Sequence, residues 1–167
     1  MEKIGDAARA EAKVLADMQS LLSKLRKLAA EEIASVDKGG ARLREIRIAV
    51  YEDLNQIQHE YLILRGLRWL VANGVGAGAE WEWNPRQRGD ATEPDLRGSL
   101  RGQVVVSAEA TASEKPEGSL DTRMRETLQK LAKMEGQKFY FVVADKMVRR
   151  AETKVRKSGW AIRVVRV

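Results

Sequence analysis

The spacing of the apolar residues changes once along the chain, after Gly78, and that change limits the fold more than any other feature. Before it, Val14, Met18, Leu21, Leu25 and Leu28 recur at alternating steps of four and three, with Leu15, Leu22 and Ala29 widening the stripe. Such a stripe marks one face of a helix with a coiled-coil-like seam. The pattern predicts a helix from about Glu2 to Val36, ended by Gly39-Gly40, because glycine takes the left-handed conformation that closes a helix. A second helix is expected from about Arg42 to Asn73, with Ile46, Val50, Leu54, Ile57, Tyr61, Leu64 and Leu67 towards a core. Two long helices joined by a short turn form an antiparallel hairpin, whose seam either closes within the chain or pairs with another subunit.

Beyond Gly78 the period falls to two. Glu80-Trp-Glu-Trp reads as a short strand, Pro94 to Arg97 as another, Gly98 to Gly102 as a tight turn, and Gln103 to Thr111 as a third strand. Leu120, Met124, Leu128 and Leu131 share one face of a helix capped by Ser119 or Asp121 and stopped by Gly136. Phe139 to Ala144 is continuously apolar, as a strand buried on both faces must be. A helix from Lys146 to about Lys157, capped by Asp145, and a strand from Trp160 complete the chain. The expected fold class is therefore α/β, in the order α-β-β-β-α-β-α-β with a mixed sheet flanked by helices. Residues 1–54 would form a helical extension for dimerisation or bracing, and residues 55–167 the α/β domain.

Composition narrows the chemistry. With no cysteine, disulfide frameworks and zinc–thiolate sites are excluded. No apolar run approaches the ~18–20 residues of a membrane span, so the expectation is a cytoplasmic protein with no membrane partner. The net charge of +6 is localised: residues 121–167 carry 13 basic and 5 acidic groups, while the rest of the chain is nearly balanced. A concentrated basic surface suits a polyanion, because each neutralised phosphate releases counterions. A nucleic acid, DNA before RNA, is the expected partner. Arg123, Lys130, Arg149, Arg150 and Lys154 are the candidate contacts there, with Arg86 and Arg88 in the loop before Pro94.

Pro94-Asp95, followed by a strand ending Ser107-Ala-Glu109-Ala-Thr111, resembles the PD-(D/E)XK phosphodiesterase superfamily over residues 55–167. The resemblance implies a restriction-endonuclease-like core that hydrolyses phosphodiester bonds with Mg²⁺ (or Mn²⁺). It places Asp95 and Glu109 as metal-binding carboxylates, with Glu60 on the preceding helix as a third. Asp95 and Glu109 can sit side by side on adjacent strands, and oxygen ligands suit a hard cation. Glu60 aligns with Leu64, Leu67 and Val71, hence with an apolar face. A homodimer is attractive, since a site of this kind cuts one strand and duplex cleavage needs two.

The motif is incomplete. Its Lys, two residues after the second carboxylate, is Thr111 here, and a hydroxyl cannot supply that charge. Another residue could serve at that position, a lysine could come from elsewhere (Lys115 or Lys130), or the site is degenerate and the protein binds without cutting. His59 is the only histidine, which excludes a multi-histidine metal site, and reads as a polar helix residue beside Glu60. Trp81 and Trp83 read as core or interface residues. The run Gly74, Gly76, Gly78 precedes a strand and lacks the Gly-Lys-Ser/Thr ending of a phosphate loop.

Overall fold

The computed structural model describes residues 1–5, 7–30, 32–85 and 92–167. Among these, the elements are β1 (Glu2–Ile4), α1 (Ala7–Ala29), α2 (Val36–Ala72), β2 (Glu80–Trp83), β3 (Leu96–Leu100), β4 (Gln103–Thr111), α3 (Ser119–Ala132), β5 (Gln137–Val142), α4 (Asp145–Ser158) and β6 (Ile162–Arg166). The six strands form one mixed sheet in sequence order. Neighbours from β1 to β4 are antiparallel, and β4, β5 and β6 run parallel. The α/β class and the element order from α2 onward agree with the sequence. No helix among the described residues is long and apolar enough to cross a membrane.

Strand parity divides the core in two. Val106, Ala108 and Ala110 of β4 and Phe139 and Phe141 of β5 pack with α1 and α2. Tyr140 and Val142 turn to the other face, against Met124, Leu128 and Leu131 of α3 and Met147 and Ala151 of α4. The register pairs Glu109 with Tyr140 and Thr111 with Val142, so both β4 residues face α3. The second half of α2 lies between the sheet and α1. It is therefore apolar almost all round, with Leu62, Ile63, Leu64, Leu67 and Leu70 buried.

The expected first helix differs at both ends. Glu2–Ile4 pairs with β2 as an edge strand, joining the chain's beginning to the sheet. The turn between helices falls at Ser35 rather than Gly39-Gly40. Ser35 is extended, and its side chain accepts a hydrogen bond from the Lys38 amide, which caps α2 one turn earlier than the glycines would. Gly39 then faces Ile33, where a Cβ would come within 2.9 Å of its Cγ2. The seam closes within the chain: Val14 and Leu21 of α1 are buried in the same core cluster as Ile57 and Leu64 of α2.

Two further boundaries moved. β3 runs through Gly98 to Leu100, and the turn is only Arg101-Gly102, both with positive φ (51° and 79°), as a two-residue hairpin requires. Gly98 is tolerated in the strand because the Trp81 ring covers it; an added Cβ would lie 2.8 Å from that ring. Neither α3 nor α4 has a side-chain cap, and Asp145 pairs with Arg166 instead.

Two glycines of α2 separate helix propensity from packing. Gly40 is exposed with nothing within 4 Å of an added Cβ, so Gly40→Ala should stabilise the protein by roughly 0.5–1 kcal/mol. At Gly66 a Cβ would sit 2.5 Å from Phe141, whose ring is held by Phe139 and Trp69. There overpacking should outweigh the helix gain, and Gly66→Ala should destabilise by about 1–3 kcal/mol. Urea unfolding of both variants checks the pair; equal effects would contradict the close α2–β5 contact.

Candidate functional site

Three polar residues alternate along the α3 face of β4, and each has found a partner. Ser107 Oγ donates to the Glu135 carbonyl at 2.9 Å. Thr111 Oγ1 accepts from the Tyr140 hydroxyl at 2.8 Å. Glu109, only 5 % exposed, lies 2.7 Å from the Lys130 ammonium of α3. The same ammonium donates to the Glu93 carbonyl at 3.0 Å, so Lys130 bridges α3 to the segment just before β3.

Asp95 comes from the residue before β3. The β3–β4 register pairs Leu96 with Ala108, and one further step sets Asp95 opposite Glu109. Asp95 is 4 % exposed, and its Oδ2 accepts two hydrogen bonds: from the Ala110 amide at 2.8 Å and from His59 Nε2 at 3.1 Å. His59 reaches it from α2, across the opposite face of the sheet. The two carboxylates thus lie side by side near the end of β4, between α2 and α3.

These carboxylates line an open cleft of about 680 Å³. Tyr51, Asn55, Gln58 and His59 of α2 form one wall, Arg123 and Thr127 of α3 the other, with Asp95, Glu109 and Thr111 between them. Burial, and secondarily the charge of Asp95, lifts the Glu109 carboxyl to about 8, although Lys130 and His59 oppose the rise. Burial works against protonated His59, but the hydrogen bond and charge of Asp95 prevail and raise the imidazole above its ordinary value. Burial also pushes the Tyr140 phenol up to about 12, so it remains a neutral donor to Thr111.

The candidate residues fall into three groups. Asp95, Glu109, Thr111 and Arg123 meet at the cleft, and Lys130 reaches it through Glu109. Glu60 does not face it: 1 % exposed, it turns to α1 and pairs with Lys13 at 2.7 Å, while Lys13 also holds Asp17. Lys115 and Arg149 are exposed and do not line the cleft. Arg150 and Lys154 both grip Asp121, at 2.7 and 3.0 Å, holding its carboxyl well below the usual range and fastening α4 to α3. Arg86 and Arg88 lie outside the described residues.

The α2 residue that meets Asp95 in the cleft is His59, which the sequence reads as a polar helix residue beside Glu60. Its signal was present, since Leu62, Ile63, Gly66 and Leu70 follow it on one face of α2. Glu60 has an equally apolar line-up on the face one residue round. Periodicity alone could not say which face meets the sheet and which meets α1.

No family model, curated protein or solved structure matches the chain.

The donor set suits a hard divalent cation. Two buried carboxylates lie side by side on adjacent strands in one cleft, and burial, with the charge of Asp95, raises the Glu109 carboxyl to about 8. Among the described residues no three acidic or histidine side chains form a ready-made cage. Mg²⁺ is ordinarily held by one or two carboxylates with waters and phosphates completing its shell.

The buried carboxyl fixes the sign of a pH effect. Unfolded Glu109 ionises near 4.5 and the folded group near 8, so between these values the folded state binds more protons. Stability contributed below 4.5 is then lost as the pH rises towards 8. Glu109→Gln cannot ionise. In EDTA its melting temperature should overtake wild type as the pH rises through this window, the gap closing near pH 4.5. No gap at pH 8 would show that Glu109 is not a desolvated carboxylate.

Proposed function

We propose that the chain is a metal-dependent nuclease-like phosphodiesterase with a restriction-endonuclease-like core, acting on DNA. The observation that carries this reading is that Asp95 and Glu109 line one open cleft side by side, with the Lys130 ammonium of α3 2.7 Å from Glu109. In this reading Asp95 and Glu109 hold Mg²⁺ (or Mn²⁺), and Lys130 supplies from α3 the charge that the motif places at Thr111. The cation, when bound, polarises the phosphoryl oxygens and acidifies a water. Lys130 sits beside the metal-binding carboxylates and orients that water, while Arg123 on the cleft wall meets a phosphate oxygen.

Nucleic-acid affinity draws on fewer groups than the raw charge suggests. Arg150 and Lys154 already neutralise Asp121, which leaves Arg123 and Arg149 as the freer contacts. Exposed Leu43, Tyr51 and Leu54 on α2 and Leu15 and Leu22 on α1 offer the apolar surface for a homodimer, which would bring two sites to one duplex. A second reading, a binder without catalysis, is favoured by one observation: Thr111, at the motif's lysine position in the cleft, is an uncharged hydroxyl already engaged by Tyr140.

Duplex, single-stranded and branched DNA incubated with Mg²⁺ or Mn²⁺ should be cleaved. Asp95→Ala or Glu109→Ala should abolish cleavage, and Lys130→Met should slow it by about 10²-fold or more while the fold persists. Lys115→Met should cut at the wild-type rate. Salt-dependent binding to all three substrates with no cleavage would leave the binder reading standing instead.

A further inference from the structure

His59 is a buried polar group beside the two carboxylates for which phosphodiester chemistry gives no obvious task. We infer that it is a positioning residue, which fixes the Asp95 carboxylate so that one oxygen is presented for metal binding. The inference rests on the reading of Asp95 and Glu109 as metal-binding residues, and adds to it a residue outside the motif.

The geometry supports that role in two ways. A carboxylate turns about its last side-chain bond with only a broad, two-fold preference, so a single donor leaves its plane poorly defined. Here two donors from different elements, the Ala110 amide of β4 and His59 Nε2 of α2, meet on Oδ2. Oδ1 accepts no hydrogen bond among the described residues, and Asp95 lines the cleft, which makes Oδ1 the oxygen available to a cation.

The imidazole itself shows the same specialisation. It is 9 % exposed, its Nδ1 is buried without a partner, and its polar contact is Asp95. A histidine serving the fold alone would usually have both ring nitrogens satisfied. An apolar side chain beside Leu62 and Ile63 would serve packing as well as a buried polar pair does. Ligand-orienting hydrogen bonds of this kind commonly change metal affinity by about 10–100-fold when removed.

The test is Mn²⁺ binding by isothermal titration on the full chain, with thermal melts alongside. His59→Leu and His59→Asn should each weaken Mn²⁺ binding by about tenfold or more. His59→Gln, whose amide nitrogen can occupy the place of Nε2, should recover most of the affinity. In an Asp95→Asn background, His59→Asn should weaken binding no further, because the carboxylate it positions is gone. Leucine or asparagine variants that fold and bind Mn²⁺ like wild type would overturn the proposal, as would an equal loss in the Asp95→Asn background. A wild-type chain that neither binds Mn²⁺ nor cleaves DNA would instead remove the metal reading, and the His59 role with it. The asparagine–glutamine contrast keeps the question open to measurement should the leucine variant fail to fold.

Discussion

The β3–β4 hairpin register is the constraint on which the site depends. The two-residue turn, Arg101-Gly102, pairs Leu100 with Gln103, and an extra residue on β4 between the Ser99 and Gly98 pairs shifts the register by one, which sets Leu96 opposite Ala108; a further slip of one position would send Glu109 to the opposite face. In the observed register, Asp95 arrives opposite Glu109, and the Ala110 amide is free to bind it because β3 begins one residue later. The remaining elements support that placement. α2 contributes His59 from one face, α3 contributes Lys130 from the other, and the cleft lies between the two helices. The hairpin is thus both the centre of the sheet and the frame of the site.

Holding two acidic groups in this way is unfavourable on its own. Burial and mutual repulsion disfavour the charged pair, and the surroundings compensate unequally. Asp95 receives two hydrogen bonds and the partial charge of an imidazole. Glu109 receives a half-exposed ammonium, and its carboxyl remains raised. The asymmetry suits a site whose charge is completed only when a cation enters. It also separates two roles for the basic residues. Lys130 answers a local excess of negative charge, whereas Arg150 and Lys154 are structural ties between α3 and α4.

Much of the fold was legible because it is written in short-range patterns. The alternation in β4 placed Glu109 and Thr111 on one face, and the apolar run from Phe139 to Val142 marked a central strand. What was not legible depended on distant partners. The three residues Glu2 to Ile4 are too few to show a period and form a strand only through β2. Gly39-Gly40 is the more conspicuous helix breaker, yet the Ser35 cap precedes it and starts α2. Lys130 was a candidate replacement lysine on sequence grounds, but only the packing of α3 brings it to Glu109. The exchange of Glu60 for His59 has the same origin: a helix covered on both sides has two apolar faces, and sequence cannot assign them.

The chain's first strand has a consequence for assembly of the fold. Pairing of β1 with β2 joins Ile4 to Trp81, closing most of the helical hairpin into a single loop, whereas the β3–β4 hairpin closes around two residues. Loop closure grows more expensive with length, so local contacts form early and distant ones late. The frame that holds Asp95 and Glu109 is therefore free to form before the sheet edge is complete.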